Sequence, residues 1–230
     1  RDLAGETGQQ LTEETAVILT YAVSSHGDIV YVAVGEERDG LWLLPANSRS
    51  ARQILACSPT LSCDHPVWHP DGKRLLYERD DLTNVELPAL FWLDVSSGET
   101  LSLNESANVY ARAATFSPNG EWVSYYAIAD NEIQAFHFGN QQQLRLNSQT
   151  GHPANWHPQG GQIIFNNYHL DIFHGDEGTN HDEHSHAYEE MIRLYRMDVD
   201  NGRFEPLSEA TGVADMQPIW SPDGEWVAFL

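Results

Sequence analysis

The chain has 230 residues, 41% of them hydrophobic and seven of them tryptophan, which is enough apolar material to bury a substantial core in one domain or one repeat array. Its formal charge of −22 comes from 34 acidic against 12 basic side chains, with Lys73 the single lysine. That balance argues against nucleic acid as a partner, because phosphate binding relies on Lys and Arg displacing counterions. No apolar run approaches the roughly 20 residues needed to cross a bilayer, so no membrane insertion is expected.

The first fifteen residues, RDLAGETGQQLTEET, are too polar for a signal peptide and form a polar N-terminal segment ahead of repeats spanning 16–230. The first repeat, about 16–56, carries AVSSHGDIVYVA and then the hairpin GLWLLPANSRSARQI. Cys57 and Cys63 follow, bracketing CSPTLSC. Five intervening residues close a small disulfide loop; free buried thiols and metal ligation are the alternatives, the latter weak without a second pair of ligands. A disulfide places the chain in an oxidising compartment, periplasmic or extracellular.

Further repeats are expected at about 64–105, 107–148 and 151–209, with a partial one at 213–230. Their leading segments are VWHPDGKRLLYE, TFSPNGEWVSYY, NWHPQGGQIIFN and IWSPDGEWVAFL. Pro presets φ, Asp or Asn bonds the turn backbone, and Gly accepts a positive φ, so each segment closes a tight antiparallel connection. A second hairpin completes each unit: ALFWLDVSSGETLSL, IQAFHFGNQQQLRL and RLYRMDVDNGRFEPL. The turn glycines Gly27, Gly72, Gly120, Gly160 and Gly224 are spaced 45, 48, 40 and 64 residues apart. Three of these intervals match a four-stranded propeller blade of about 40 to 50 residues. The fold class expected is therefore all-β, a β-propeller of four-stranded antiparallel blades, four complete and a partial fifth. Trp68, Phe116, Trp156 and Trp220 are expected to fill space between blades. His69 and His157 in place of Ser, with Asn119 and Gln159 in place of Asp, are expected to weaken individual turns.

The long interval has a local cause. Between IIFNNYHL and RLYRMDV lies an insertion at about 170–190, DIFHGDEGTNHDEHSHAYEE. Imidazoles and carboxylates are the ligands that zinc and other transition metals take, and His174, His181, His184 and His186, with Asp182 and Glu183, form the candidate metal set, zinc being the first choice. In an extended chain His184 and His186 share a side and His181 takes the other, so a common site needs a bend. A solvated mobile loop and a partner contact are the alternatives. DVDNG at 198–202 aligns with the hairpin turn DVSSG and is expected to be a turn rather than a calcium loop. His137, between Phe136 and Phe138, is expected to be a surface or a satisfied core histidine. No Gly-x-Ser-x-Gly elbow occurs and neither cysteine sits in an activated-thiolate motif, so no catalytic residue is nominated.

The WSPDG-type turn, the apolar strand after it and the LDV-type hairpin resemble the β-propeller repeat of TolB, found also in tricorn-like and prolyl-oligopeptidase-like peptidases. The resemblance covers about 16–230 and implies the fold. It implies as well either a non-enzymatic scaffold that binds a protein partner through loops at the propeller faces, or the propeller of a larger peptidase whose hydrolase lies elsewhere. Because Leu230 falls midway through a repeat, closure of the ring is expected to use further blades, other chains or the N-terminal segment around AVILTYA.

Overall fold

The computed structural model describes residues 10–12, 16–35, 39–83, 88–103, 110–148, 150–168, 192–208 and 215–230. All regular structure among them is β, and the strands form antiparallel sheets in strict sequence order. The chain divides into two compact units, residues 1–108 and 109–230.

In the first unit, one sheet consists of β1 (Val17–Val23), β2 (Ile29–Val34), β3 (Gly40–Leu44) and β4 (Arg52–Ala56). The second consists of β5 (Leu61–Trp68), β6 (Arg74–Asp81), β7 (Ala89–Asp94) and β8 (Thr100–Ser102). Alternation along β2 and β3 turns Val30, Val32, Leu41 and Leu43 onto Trp68, Leu75, Tyr77 and Leu93 of the second sheet. Each such side chain, once fully buried, contributes roughly 2 kcal/mol. The Trp68 indole completes the layer by donating to the Ala22 carbonyl at 3.3 Å. Cys57 and Cys63 form a disulfide with Cα atoms 6.3 Å apart. It joins the end of β4 to β5, so it ties the outermost strand of one sheet to the first strand of the next.

In the second unit, β9 (Ala111–Phe116), β10 (Trp122–Ala127), β11 (Glu132–His137) and β12 (Gln143–Asn147) form one sheet. β13 (Asn155–Trp156), β14 (Gln162–Tyr168), β15 (Ile192–Asp198) and β16 (Phe204–Pro206) form the next. β17 (Ile219–Trp220) and β18 (Val227–Ala228) make a short hairpin. Trp122, Tyr126, Ile133 and Leu146 meet Trp156, Ile163, Phe165, Tyr195 and Met197 across the inter-sheet layer. Every residue of β10, WVSYYA, is buried, the polar Ser124 among them through its contacts with the Thr115 hydroxyl and the Trp156 indole.

Three local features could not be read from the turn pattern. The first turn is one residue shorter than the others: Ser24 N–H reaches Asp28 O, whereas Ser117 N–H reaches Trp122 O and His69 N–H reaches Arg74 O. That shift sends Val30 and Val32, rather than Ile29 and Tyr31, into the layer with Trp68. Second, only two of the four motif aromatics are buried, Trp68 and Trp156, while Phe116 and Trp220 are half-buried. Third, the first strands carry a repeated irregularity. His65, Ala113 and Gln217 have φ of 48°, 57° and 52°, each seven residues before its turn glycine. In β5 and β9 the left-handed residue coincides with a register shift, a bulge that re-aims its side chain, while Gln217 lies just ahead of β17.

Candidate functional site

Each sheet has one end built from the tight turns, and there the polar side chains are spent on the backbone. Asp71 Oδ1 accepts from the N–H groups of Lys73 (2.8 Å) and Arg74 (3.3 Å). Burial pushes the Asp71 carboxyl up, but the Lys73 amide, His69 and Arg74 together outweigh it and hold the group below the ordinary aspartate value. Ser117 Oγ accepts from Trp122 N–H at 3.0 Å, and Ser221 Oγ accepts from Trp226 N–H at 2.9 Å. The histidines keep the turns tied by another route: His157 Nδ1 accepts the Gln159 N–H at 3.2 Å, and His69 Nδ1 lies 2.9 Å from Asp71 Oδ2.

The second hairpins follow the same logic. Asp94 Oδ1 accepts from the N–H groups of Ser96 and Ser97, both at 2.9 Å, and Asp198 Oδ1 accepts from those of Asp200 and Asn201. The Ser96 hydroxyl and these amides hold the Asp94 carboxyl down at about 2. DVDNG is accordingly a turn. In the third sheet the position belongs to His137, whose Nδ1 accepts from Gly139 N–H (2.9 Å) and Asn140 N–H (3.2 Å). His137 thus replaces a carboxylate as a turn cap, and its ring packs edge-on to Trp122 at 4.9 Å. Its alignment with Asp94 and Asp198 was the available signal.

The opposite end of the fourth sheet carries the insertion. β14 and β15 stay paired without a break up to Tyr168 opposite Ile192, and residues 169–191 connect these two strands. His174, His181, Asp182, Glu183, His184 and His186 all lie outside the described residues. Among the described residues no group of three or more His, Cys, Asp or Glu side chains is arranged to hold a metal.

At this end of the fourth sheet is a polar cluster that sequence reasoning missed. Asn166 and Asn167 are 0% and 3% exposed. Asn166 Nδ2 lies 2.9 Å from His152 Nδ1, its carbonyl oxygen accepts from the Thr150 hydroxyl at 3.1 Å, and its Oδ1 is buried without a partner. Asn167 Nδ2 donates to the Asn147 carbonyl at 2.6 Å. The signal was the Asn-Asn pair closing IIFNN, where the third sheet has Tyr126 and Ala127. In the first unit, bulged His65 stands 3.5 Å from Glu78 and 3.8 Å from Asp64, whose carboxylate also takes the Thr20 hydroxyl.

Comparison with solved structures identifies the fold these sheets define as a TolB-like β-propeller. TolB from Acinetobacter baumannii superposes with a TM-score of 0.63 at 19% identity, over 97% of this chain and 51% of its own. A putative TolB from Agrobacterium tumefaciens gives 0.62 at 21%, over 95% and 77%. An oligogalacturonate lyase in complex with manganese gives 0.65 at 15%, over 94% and 59%. The chain therefore spans about half the length of the first TolB. No family model matches the sequence, and no curated protein matches it either.

Proposed function

We propose that the chain is a non-enzymatic binding scaffold of the periplasm or extracellular space, which engages a protein partner through its loops and above all through residues 169–191. The observation that carries this reading is the closed pairing of Tyr168 with Ile192 on either side of that segment. A connection of that length between two paired strands is uncommon in a compact domain and is usually functional. At the turn end, by contrast, the polar side chains are committed to their own backbone. The Cys57–Cys63 disulfide supports an oxidising compartment. Likeness to a propeller solved in a nidogen–laminin complex, with a TM-score of 0.58 at 11% identity, supports protein binding as a use of such a scaffold.

Within the loop, His174, His181, His184 and His186, with Asp182 and Glu183, hold a transition metal, zinc by preference, that orders the segment for its partner. The test replaces 169–191 by Asn-Gly, a two-residue turn that suits paired strands. Protein purified without a histidine tag is analysed for metal and used to capture partners from native extract. Near-stoichiometric zinc and a retained partner in the full chain, both absent from the shortened one, are expected. Metal-free protein that also fails to take up added zinc overturns the metal assignment, and a partner retained equally by both chains overturns the loop assignment.

A further inference from the structure

The outer strand of the third sheet has an edge that no described strand pairs, beside a largely apolar crevice. His137 N–H donates to Gln142 O and Ser148 N–H to Asn131 O, each at 2.9 Å, at the two ends of the β11–β12 ladder. Antiparallel bonding alternates, so Leu144 and Leu146 bond to β11 while the N–H and C=O groups of Gln143, Arg145 and Asn147 point outward. The Asn147 carbonyl is taken by Asn167, and no described strand pairs along the remainder of that edge.

Other outer strands are blunted. β8 and β16 have three residues each, β16 ends on Pro206, and the pairing of β4 is broken by a register shift opposite Leu41 and Trp42. Short strands, proline and bulges are the devices that discourage strand addition. β12 has none of them and keeps five unbroken pairs with β11.

Beside β12 lies a crevice of about 100 Å³ whose apolar wall is Leu146, Phe165, Tyr195 and Phe204 and whose polar rim is Arg145, Asn147 and Asn167. Phe165 and Tyr195 stack at 5.6 Å, and Phe204 closes edge-on to Tyr195 at 6.1 Å. Leu146 packs into the layer with Phe165 and Tyr195. Side chains alternate along any strand laid on β12, so one on the Leu146 side enters the crevice. Its volume is below the roughly 150 Å³ that admits benzene and suits one branched aliphatic group.

We propose that β12 is a strand-addition site for an extended segment of a partner protein, with Val, Ile or Leu seated in the crevice and basic residues on either side. Main-chain bonds to the outward groups of Gln143 and Arg145 provide affinity and the crevice provides selectivity. The basic flanks answer the net charge of −22.

The probe is a fluorescein-labelled peptide, Lys-Thr-Val-Thr-Ile-Thr-Lys with blocked ends, followed by anisotropy. Saturable binding to the full chain is expected. Arg145→Ala, which keeps the outward N–H, binds within about twofold of the parent, whereas Arg145→Pro, which removes it, binds about tenfold more weakly. Phe204→Ala, at a position 47% exposed, weakens binding about fivefold. A peptide N-methylated in turn at each central residue loses binding at the bonded positions, with no change to the protein. Absence of saturable binding, or equal binding of parent and N-methylated peptides, overturns the proposal. The chain carrying Asn-Gly in place of 169–191 binds the peptide as the full chain does, so failure here is separable from failure of the loop reading.

Discussion

His157 Nε2 stands 3.2 Å from the carbonyl oxygen of Gly224, which fastens the turn of the fourth sheet to the turn of the β17–β18 hairpin. Because Nδ1 accepts from Gln159 N–H, Nε2 carries the proton and donates. The ring also packs edge-on to Trp220 at 4.7 Å. In the first unit His26 also lies against Gly72, somewhat less closely and from a different place in its turn.

This contact makes the two glycines more than turn formers. Gly224 has φ +77°, and a Cβ there would stand 2.4 Å from His157 Nε2; at Gly72, φ +67°, it would stand 2.8 Å from His26 Nδ1. Gly160 has the same φ as Gly224 with nothing within 4 Å of the added atom. Gly160→Ala is expected to cost about 1 kcal/mol, the left-handed penalty alone. Gly224→Ala should cost roughly twice that, with part recovered in the His157→Ala, Gly224→Ala double variant. Urea unfolding of the four proteins is the check, and equal losses at Gly160 and Gly224 would refute the contact.

His137 as a turn cap predicts a rescue. His137→Ala removes the acceptor for Gly139 and Asn140 and is expected to lower stability by about 1 kcal/mol. His137→Asp restores an acceptor of the kind used by Asp94 and Asp198, and its unfolding midpoint should return most of the way toward the parent.

Acid should act first through the turn carboxylates. Asp94 titrates at about 2 because the Ser96 hydroxyl, with the Ser97 and Ser96 amides, favours the charged form. Asp223 is lowered in the same direction by the Ser221 hydroxyl and the Glu225 amide. A depressed folded-state value contributes stability that is present above the unfolded value, near 3.8, and lost as pH falls through 2. Thermal midpoints measured between pH 5 and pH 2 should fall mainly below pH 4, and Asp94→Asn should flatten part of that slope.

Reduction of Cys57–Cys63 opens a loop of only five intervening residues, and the chain-entropy estimate for so short a loop is about 2 kcal/mol. Cys63 is 6% exposed within the layer shared with Trp68 and Leu75, so reduction should be slow in the folded protein and fast in mild denaturant. Thiol labelling with and without urea reads this directly. Rapid labelling of the native protein would contradict that burial.

Regularity decided what could be read from sequence. The tight turns recur, and their glycines with the hairpins after them were enough to set the sheets and the burial of Trp68 and Trp156. The faces of β2 were not legible, because Gly27 aligns with the other glycines although its loop is one residue shorter, and a one-residue change exchanges the two faces. His65, Ala113 and Gln217 share a backbone state but no side-chain chemistry, so nothing in composition announced it. Asn166 and Asn167 were hidden by the apolar run before them, since burial of an amide depends on partners such as His152 and Asn147 that are distant in sequence. The six nominated metal ligands stay a matter of composition.

The closed pair at Tyr168 and Ile192 has a consequence for how such a protein can change. Residues directly opposite in an antiparallel ladder keep their Cα atoms about 5 Å apart. Any segment whose own ends meet at that spacing can be seated there without re-pairing a strand or disturbing the layer around Trp156. The fourth sheet is in that sense a standard socket: its cargo can be exchanged wholesale by recombination, or by a protein engineer, while the body that carries it keeps its shape.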